Sequence, residues 1–112
     1  MLDLADLHDA ILESVAIQVA TGAVTFVLTP VQFEGAAKRV ILHARQWKML
    51  VCPKEEPWGH AAEWQVNKAR GPSMLESGMQ HLELEMQTGD VIQVDAASIE
   101  RVDDPRQTPD AG

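Results

Sequence analysis

The chain reads as a mainly β protein, an antiparallel two-layer sandwich or a partly open barrel with a short N-terminal helical segment, with α+β as the alternative. Three observations predict this. Val19-Ala20-Thr21-Gly22-Ala23-Val24 near the start and Met86-Gln87-Thr88-Gly89-Asp90-Val91 near the end are hairpin signatures. Apolar and polar residues alternate on both sides of each. A third alternating stretch, Lys38 to Pro53, lies between them.

At the N-terminus, Leu4, Leu7 and Ile11 fit helical spacing, whereas Val15, Ile17 and Val19 fit a strand. The division falls near Ala10: one helical turn over Leu4 to Asp9, capped by Asp3, and a strand beyond it. With Thr21-Gly22 as a two-residue loop, Val19 faces Val24, Ile17 faces Phe26 and Val15 faces Leu28, all on one side. Glu13 is the exception on that apolar side and marks where the strand leaves the core.

In the middle stretch the alternation changes phase. Val40, Leu42 and Ala44 are even-numbered, and Trp47, Met49 and Val51 are odd, which predicts a bulge or bend near Arg45-Gln46. Pro53 to His60 carries two further turn-formers, Pro57 and Gly59, and reads as a loop. Trp64, Val66 and Lys68 suggest a short strand, and Gly71-Pro72-Ser73 the next turn.

The second hairpin favours a three-residue loop, Thr88-Gly89-Asp90. Leu82, Leu84 and Met86 then share a face with Ile92, Val94 and Ala96. The opposite face receives His81, Glu83, Glu85, Gln93 and Asp95, and a slip of one residue would bury those carboxylates. A final strand is expected over Ser98 to Val102. Residues 1–104 form one compact domain, and 105–112, with Pro105 and Pro109, a flexible tail.

A chain of 112 residues buries roughly 60 to 70% of its unfolded surface and holds a core without disulfide or metal. Cys52 is the sole cysteine, which suits a reducing compartment, and the cytoplasm is the expected location. The acidic first ten residues and the absence of a long apolar run predict neither a signal peptide nor a membrane span.

The net charge of −8 is distributed in blocks. Residues 1–35 hold five acids and no Lys or Arg, residues 36–70 seven bases against three acids, and residues 71–104 eight acids against one base. Either sheet pairing brings opposite charges together, or Glu83, Glu85 and Asp95 present an acidic face to a basic partner. Duplex nucleic acid is not expected as a direct ligand, because phosphate neutralisation needs clustered cations and the chain is net acidic.

Motifs for chemistry are few. No phosphate-cradling loop, nucleophile elbow, Cys-x-x-Cys or His-Glu-x-x-His is present. His8, His43, His60 and His81 fit no zinc spacing, so no cofactor or metal is expected. Cys52 follows an apolar strand and reads as a packing residue rather than a nucleophile. Trp58, His60 and Trp64 form the most unusual cluster in a chain with no Tyr and only two Phe. They either plug the end of the sheet or offer an aromatic contact for a protein or peptide.

Leu7-His8-Asp9-Ala10 before a hairpin, Pro57-Trp58-Gly59 followed by Val66-Asn67, and Leu84 to Asp90 together resemble a group of small uncharacterised bacterial proteins. That resemblance implies an α+β or all-β domain and supplies no catalytic residue. The Leu-His-Asp opening is also similar to some immunity proteins that neutralise bacterial toxins. The expected function is a non-catalytic interaction module whose surface includes Trp58, His60, Trp64, Glu83, Glu85 and Asp95. It would bind a protein or peptide, a basic toxin among the options, or self-associate through a strand edge. The alternative is a small hydrolase or metal-dependent enzyme using a histidine pair with Glu83 or Asp95.

Overall fold

The computed structural model describes residues 4–30, 38–52 and 65–105. A 3-10 turn, Ala5–Leu7, precedes six strands: β1 (Ile11–Gln18), β2 (Ala23–Thr29), β3 (Lys38–Val51), β4 (Val66–Met74), β5 (Gln80–Met86) and β6 (Val91–Pro105). They form one antiparallel sheet in the order β1-β2-β3-β6-β5-β4, so two three-strand meanders join through the long central strands β3 and β6. The mainly antiparallel β class expected from the sequence is therefore what forms, as a single open sheet rather than two separate ones.

The sheet curls until its two edges meet at one end. Asp9 N–H donates to Val66 O at 2.7 Å, Val66 N–H donates to Ala10 O at 2.8 Å, and Ile11 bridges Gln65. Asp9 takes a left-handed φ of 66° to make this contact, and its carboxylate accepts from Gln87 Nε2 at 2.7 Å. The concave side holds the core. Phe26, Leu28, Leu42, Leu82, Leu84, Met86, Ile92 and Val94 are buried there, and Leu4 and Leu7 of the N-terminal turn pack against them. Among the described residues none that is polar or charged is buried.

The first hairpin differs from expectation in its loop. Gln18 pairs with Ala23 and Val15 with Phe26, so residues 19–22 form a four-residue loop and the register lies two residues from the predicted one. A two-residue turn would require Thr21 at positive φ, which its branched side chain resists. Instead Gly22 alone is left-handed, φ 72°, and its N–H donates to Gln18 O. Val24, Phe26 and Leu28 are buried as expected, but Val19 is 80% exposed in the loop and Ile17 is 50% exposed. Glu13 is the extra residue of a bulge between Leu12 and Ser14, which turns it out of the core and leaves Leu12 buried.

The predicted bend in β3 falls at Gln46, whose φ is 53°. Val40, Leu42 and Ala44 are buried before it. A second irregularity between Trp47 and Met49 resets the phase again, so Trp47 and Leu50 pack on the core, whereas Met49 and Val51 are exposed. The odd-numbered trio thus does not share the inner side.

The turn expected at Gly71-Pro72-Ser73 is instead a bulge inside β4, between Arg70 and Ser73. Gly71, at φ 99°, lies so close to β5 that a Cβ there would stand 2.5 Å from His81 O. The chain reverses later, where Gly78 N–H donates to Leu75 O and Leu75 N–H to Met79 O. In the second hairpin the loop has three residues, as expected, but they are Gln87, Thr88 and Gly89: Met86 N–H donates to Asp90 O at 2.8 Å. The face assignment holds and the register moves by two, with Leu84 opposite Ile92. The strand expected at Ser98 to Val102 is the second half of β6, which runs on to Pro105.

Candidate functional site

The side chains that alternation turns away from the core form cross-strand rows on the convex face. Register places Arg70, Glu83, Gln93 and Val51 in one row and His81, Asp95 and Met49 in the next. Lys68, Glu85 and Val91 make a third. Glu83, Glu85 and Asp95, the three acids singled out in the sequence, are thus brought together on β5 and β6. Trp58, His60 and Trp64, with the Pro53–His60 loop, lie outside the described residues, as does Asp3, and Leu4 stands at the N-cap position without a side-chain cap.

Each of the three carboxylates is paired. Arg70 donates from Nη1 to Glu83 at 3.1 Å and from Nη2 to Glu85 at 2.6 Å, and Asn67 Nδ2 donates to Glu85 at 2.7 Å. His81, half-buried, is clamped between two acids: Nδ1 lies 2.5 Å from Asp95 Oδ1 and Nε2 lies 2.8 Å from Glu83 Oε2. A carboxylate at each ring nitrogen favours the protonated ring, in which both nitrogens donate. Hydrogen bonding to Asp95 and then to Glu83 raises the His81 pKa above its ordinary value. The His81 bond likewise holds Glu83 below the usual carboxylate range, and Arg70 then Asn67 do the same for Glu85.

The charge blocks of the sequence therefore meet across strands. Arg70, from the basic segment, neutralises acids from the third block, and Arg45 donates from Nε to Glu100 at 2.9 Å. At the N-terminal end of the curled sheet, Arg101 takes Asp6 and Asp103. What the sequence left as two readings of one charge pattern becomes, on this face, pairing of opposite charges.

His81 is the centre of the cluster, and the sequence carries a signal for it in its charge pattern. A Thr88-Gly89-Asp90 loop puts Glu83 opposite Asp95, two like charges directly across a ladder, which is destabilising. Moving the register by two, as the structure does, sets His81 opposite Asp95.

Ser73, His81 and Asp95 also stand in register on adjacent strands. They do not make a nucleophile-base-acid relay, because His81 Nε2, the atom that would take the Ser73 proton, is bonded to Glu83. The other described histidines have separate partners. His8 Nδ1 donates to Asn67 O at 2.5 Å, and a hydrogen bond of 3.2 Å joins His43 Nδ1 to Thr25 Oγ1. Cys52, expected to pack as a small apolar group, is instead exposed just past the end of β3. Among the described residues no group of three or more His, Cys, Asp or Glu has the placement to hold a metal ion, and no helix is long and apolar enough to cross a membrane.

Both sheet edges are blunted. β1 is interrupted by the Glu13 bulge, and Glu13 is engaged by Thr29 and, at 3.8 Å, by Arg39. β4 carries Lys68, the Gly71-Pro72 bulge and a proline without an N–H to donate. Comparison with protein families, curated proteins and solved structures found no match to the chain.

Proposed function

We propose that the protein is a non-catalytic protein-interaction module whose contact face is the convex side of β3, β6 and β5. The observation that carries this is the row formed by His81, Asp95 and Met49 together with its neighbour ending in Val51. Met49 and Val51 are 38% and 40% exposed, side by side with charged groups already fixed by one another. A partner that covers apolar side chains next to a preordered polar network loses little freedom in the polar part of the contact.

The partner class is a protein or peptide segment with an apolar side chain to place against Met49 and Val51. A second copy of the chain and a basic toxin are particular forms of it. Pairing of Glu83, Glu85 and Asp95 with Arg70 and His81 reduces the field that would attract a basic partner, and the blunted edges disfavour strand-edge self-association. The hydrolase alternative draws less support, since both ring nitrogens of His81 are already engaged by carboxylates and neither is turned to a substrate proton. A chain whose sole cysteine is Cys52 suits the reducing cytoplasm.

The test is a photo-crosslinking residue at position 49 in the full chain expressed in its own cells. The expected result is one recurrent adduct that is lost when Val51→Lys is introduced, with the melting temperature of Val51→Lys nearly that of the parent. Absence of any discrete adduct, or an adduct indifferent to Val51→Lys, overturns the proposal.

A further inference from the structure

The other half of the convex face holds a groove of about 680 Å³ over β2, β3 and β6. It is walled by the β1–β2 loop, which is held down by Trp47 N–H donating to Gly22 O at 3.1 Å, and by the left-handed turn at Gln46. Gln18, Thr25, His43, Arg45, Gln46 and Ser98 line it. In a chain with 17 acids and nine Lys and Arg, a concavity lined by hydroxyls, amides, an imidazole, a guanidinium and the Ala23 methyl, with the Glu100 carboxylate beside it rather than in its lining, is a departure from the average surface. We infer that this groove binds a small oxyanion, the phosphate or carboxylate end of a small molecule.

The geometry fits that chemistry. His43 and Arg45 are two residues apart on β3 and project on the same side, facing Glu100 and Ser98 of β6. Glu100 takes Arg45 Nε at 2.9 Å and so orients the guanidinium, whose two terminal amino groups have no partner among the described residues. Thr25 fixes the imidazole by its hydrogen bond to Nδ1, and Nε2 has no hydrogen-bond partner among the described residues. A guanidinium fork is the side chain best shaped for two oxygens of one anion, and neighbouring hydroxyls and amides supply further donors. The size of the groove falls in the range of small-molecule sites. One arginine is too little for a nucleic-acid backbone.

Isotope-labelled full chain, titrated in separate arms with inorganic phosphate and with succinate at constant ionic strength, tests this. Expected are saturable amide shifts confined to residues 18–25, 43–46 and 98–100, absent when sodium chloride alone is varied. Preference between the arms identifies the phosphate or the carboxylate as the natural end group. Arg45→Gln should weaken binding about tenfold or more, and Thr25→Val about threefold. Glu100→Gln should strengthen it, because a competing anion is removed. Shifts that fail to saturate in both arms, that spread over the whole surface, or that persist unchanged in Arg45→Gln in a folded protein overturn the inference.

Discussion

Arg101 of β6 holds the carboxylate of Asp6 through two parallel hydrogen bonds, Nη1 to Oδ1 at 2.8 Å and Nη2 to Oδ2 at 2.7 Å. Its Nε donates to Asp103 at 2.7 Å, and the Arg101 side chain is only 13% exposed. The pair joins residues near opposite ends of the chain and ties the N-terminal turn, which carries buried Leu7, to the end of the curled sheet. Asp6, and then Asp103, raise the Arg101 pKa still further above its ordinary value, so the charge is permanent.

Arg101→Gln is expected to lower stability by about 1–2 kcal/mol, above the usual worth of an exposed ion pair because the fork is half-enclosed and bidentate. Asp6→Asn should cost less, since Asp103 remains. Denaturant unfolding of both single variants and the double variant gives the coupling; a coupling indistinguishable from zero would mean that the fork does not hold the turn.

Gly71→Ala should be among the most damaging small substitutions in the molecule. The added Cβ meets a backbone oxygen at 2.5 Å, and φ is 99°. A loss of about 3 kcal/mol or more is expected from the clash and the strained conformation together. Gly89→Ala, at φ 96° with nothing near the new Cβ, should cost about 1 kcal/mol. Equal costs would show that β4 does not press on His81 as described.

His81→Gln should be destabilising in a pH-dependent way. The folded pKa of His81 is raised, so its contribution is fully present below the unfolded value and is lost as pH rises through the folded one. Glu83 and Glu85 have lowered pKa values, so their contributions are present above the usual carboxylate range and are lost as pH falls through the folded values. Relative to His81→Gln, the parent should therefore be most favoured in mildly acidic buffer and the difference should shrink in alkaline buffer. Thermal unfolding across that range measures it; a difference that grows toward alkaline pH would contradict the clamp.

Much of this arrangement is legible in the residues, because period-two alternation fixes which side each strand turns inward. That is how Leu82, Leu84 and Met86 fall on the same side as Ile92, Val94 and Ala96, and why the phase change at Gln46 betrays a bend. Register is less legible: a shift of two residues preserves every side assignment, so the hairpin loops at 19–22 and 87–89 had to be decided by turn chemistry. Gly71-Pro72 has the composition of a turn and of a bulge alike. Arg101 reaching Asp6 joins segments far apart in the chain, and Arg70 reaches Glu83 and Glu85 only in the register that β4 and β5 adopt; alternation carries no information about either.

The state of the His81 ring decides between a structural clamp and a general base, and nitrogen-detected NMR of the labelled imidazole measures it directly. The expected spectrum at neutral pH shows Nδ1 and Nε2 both protonated, with titration above the ordinary histidine range and loss of that elevation in Asp95→Asn. A neutral ring with one bare nitrogen at neutral pH, titrating at or below the ordinary value, would contradict the clamp and reopen this face to proton-transfer chemistry.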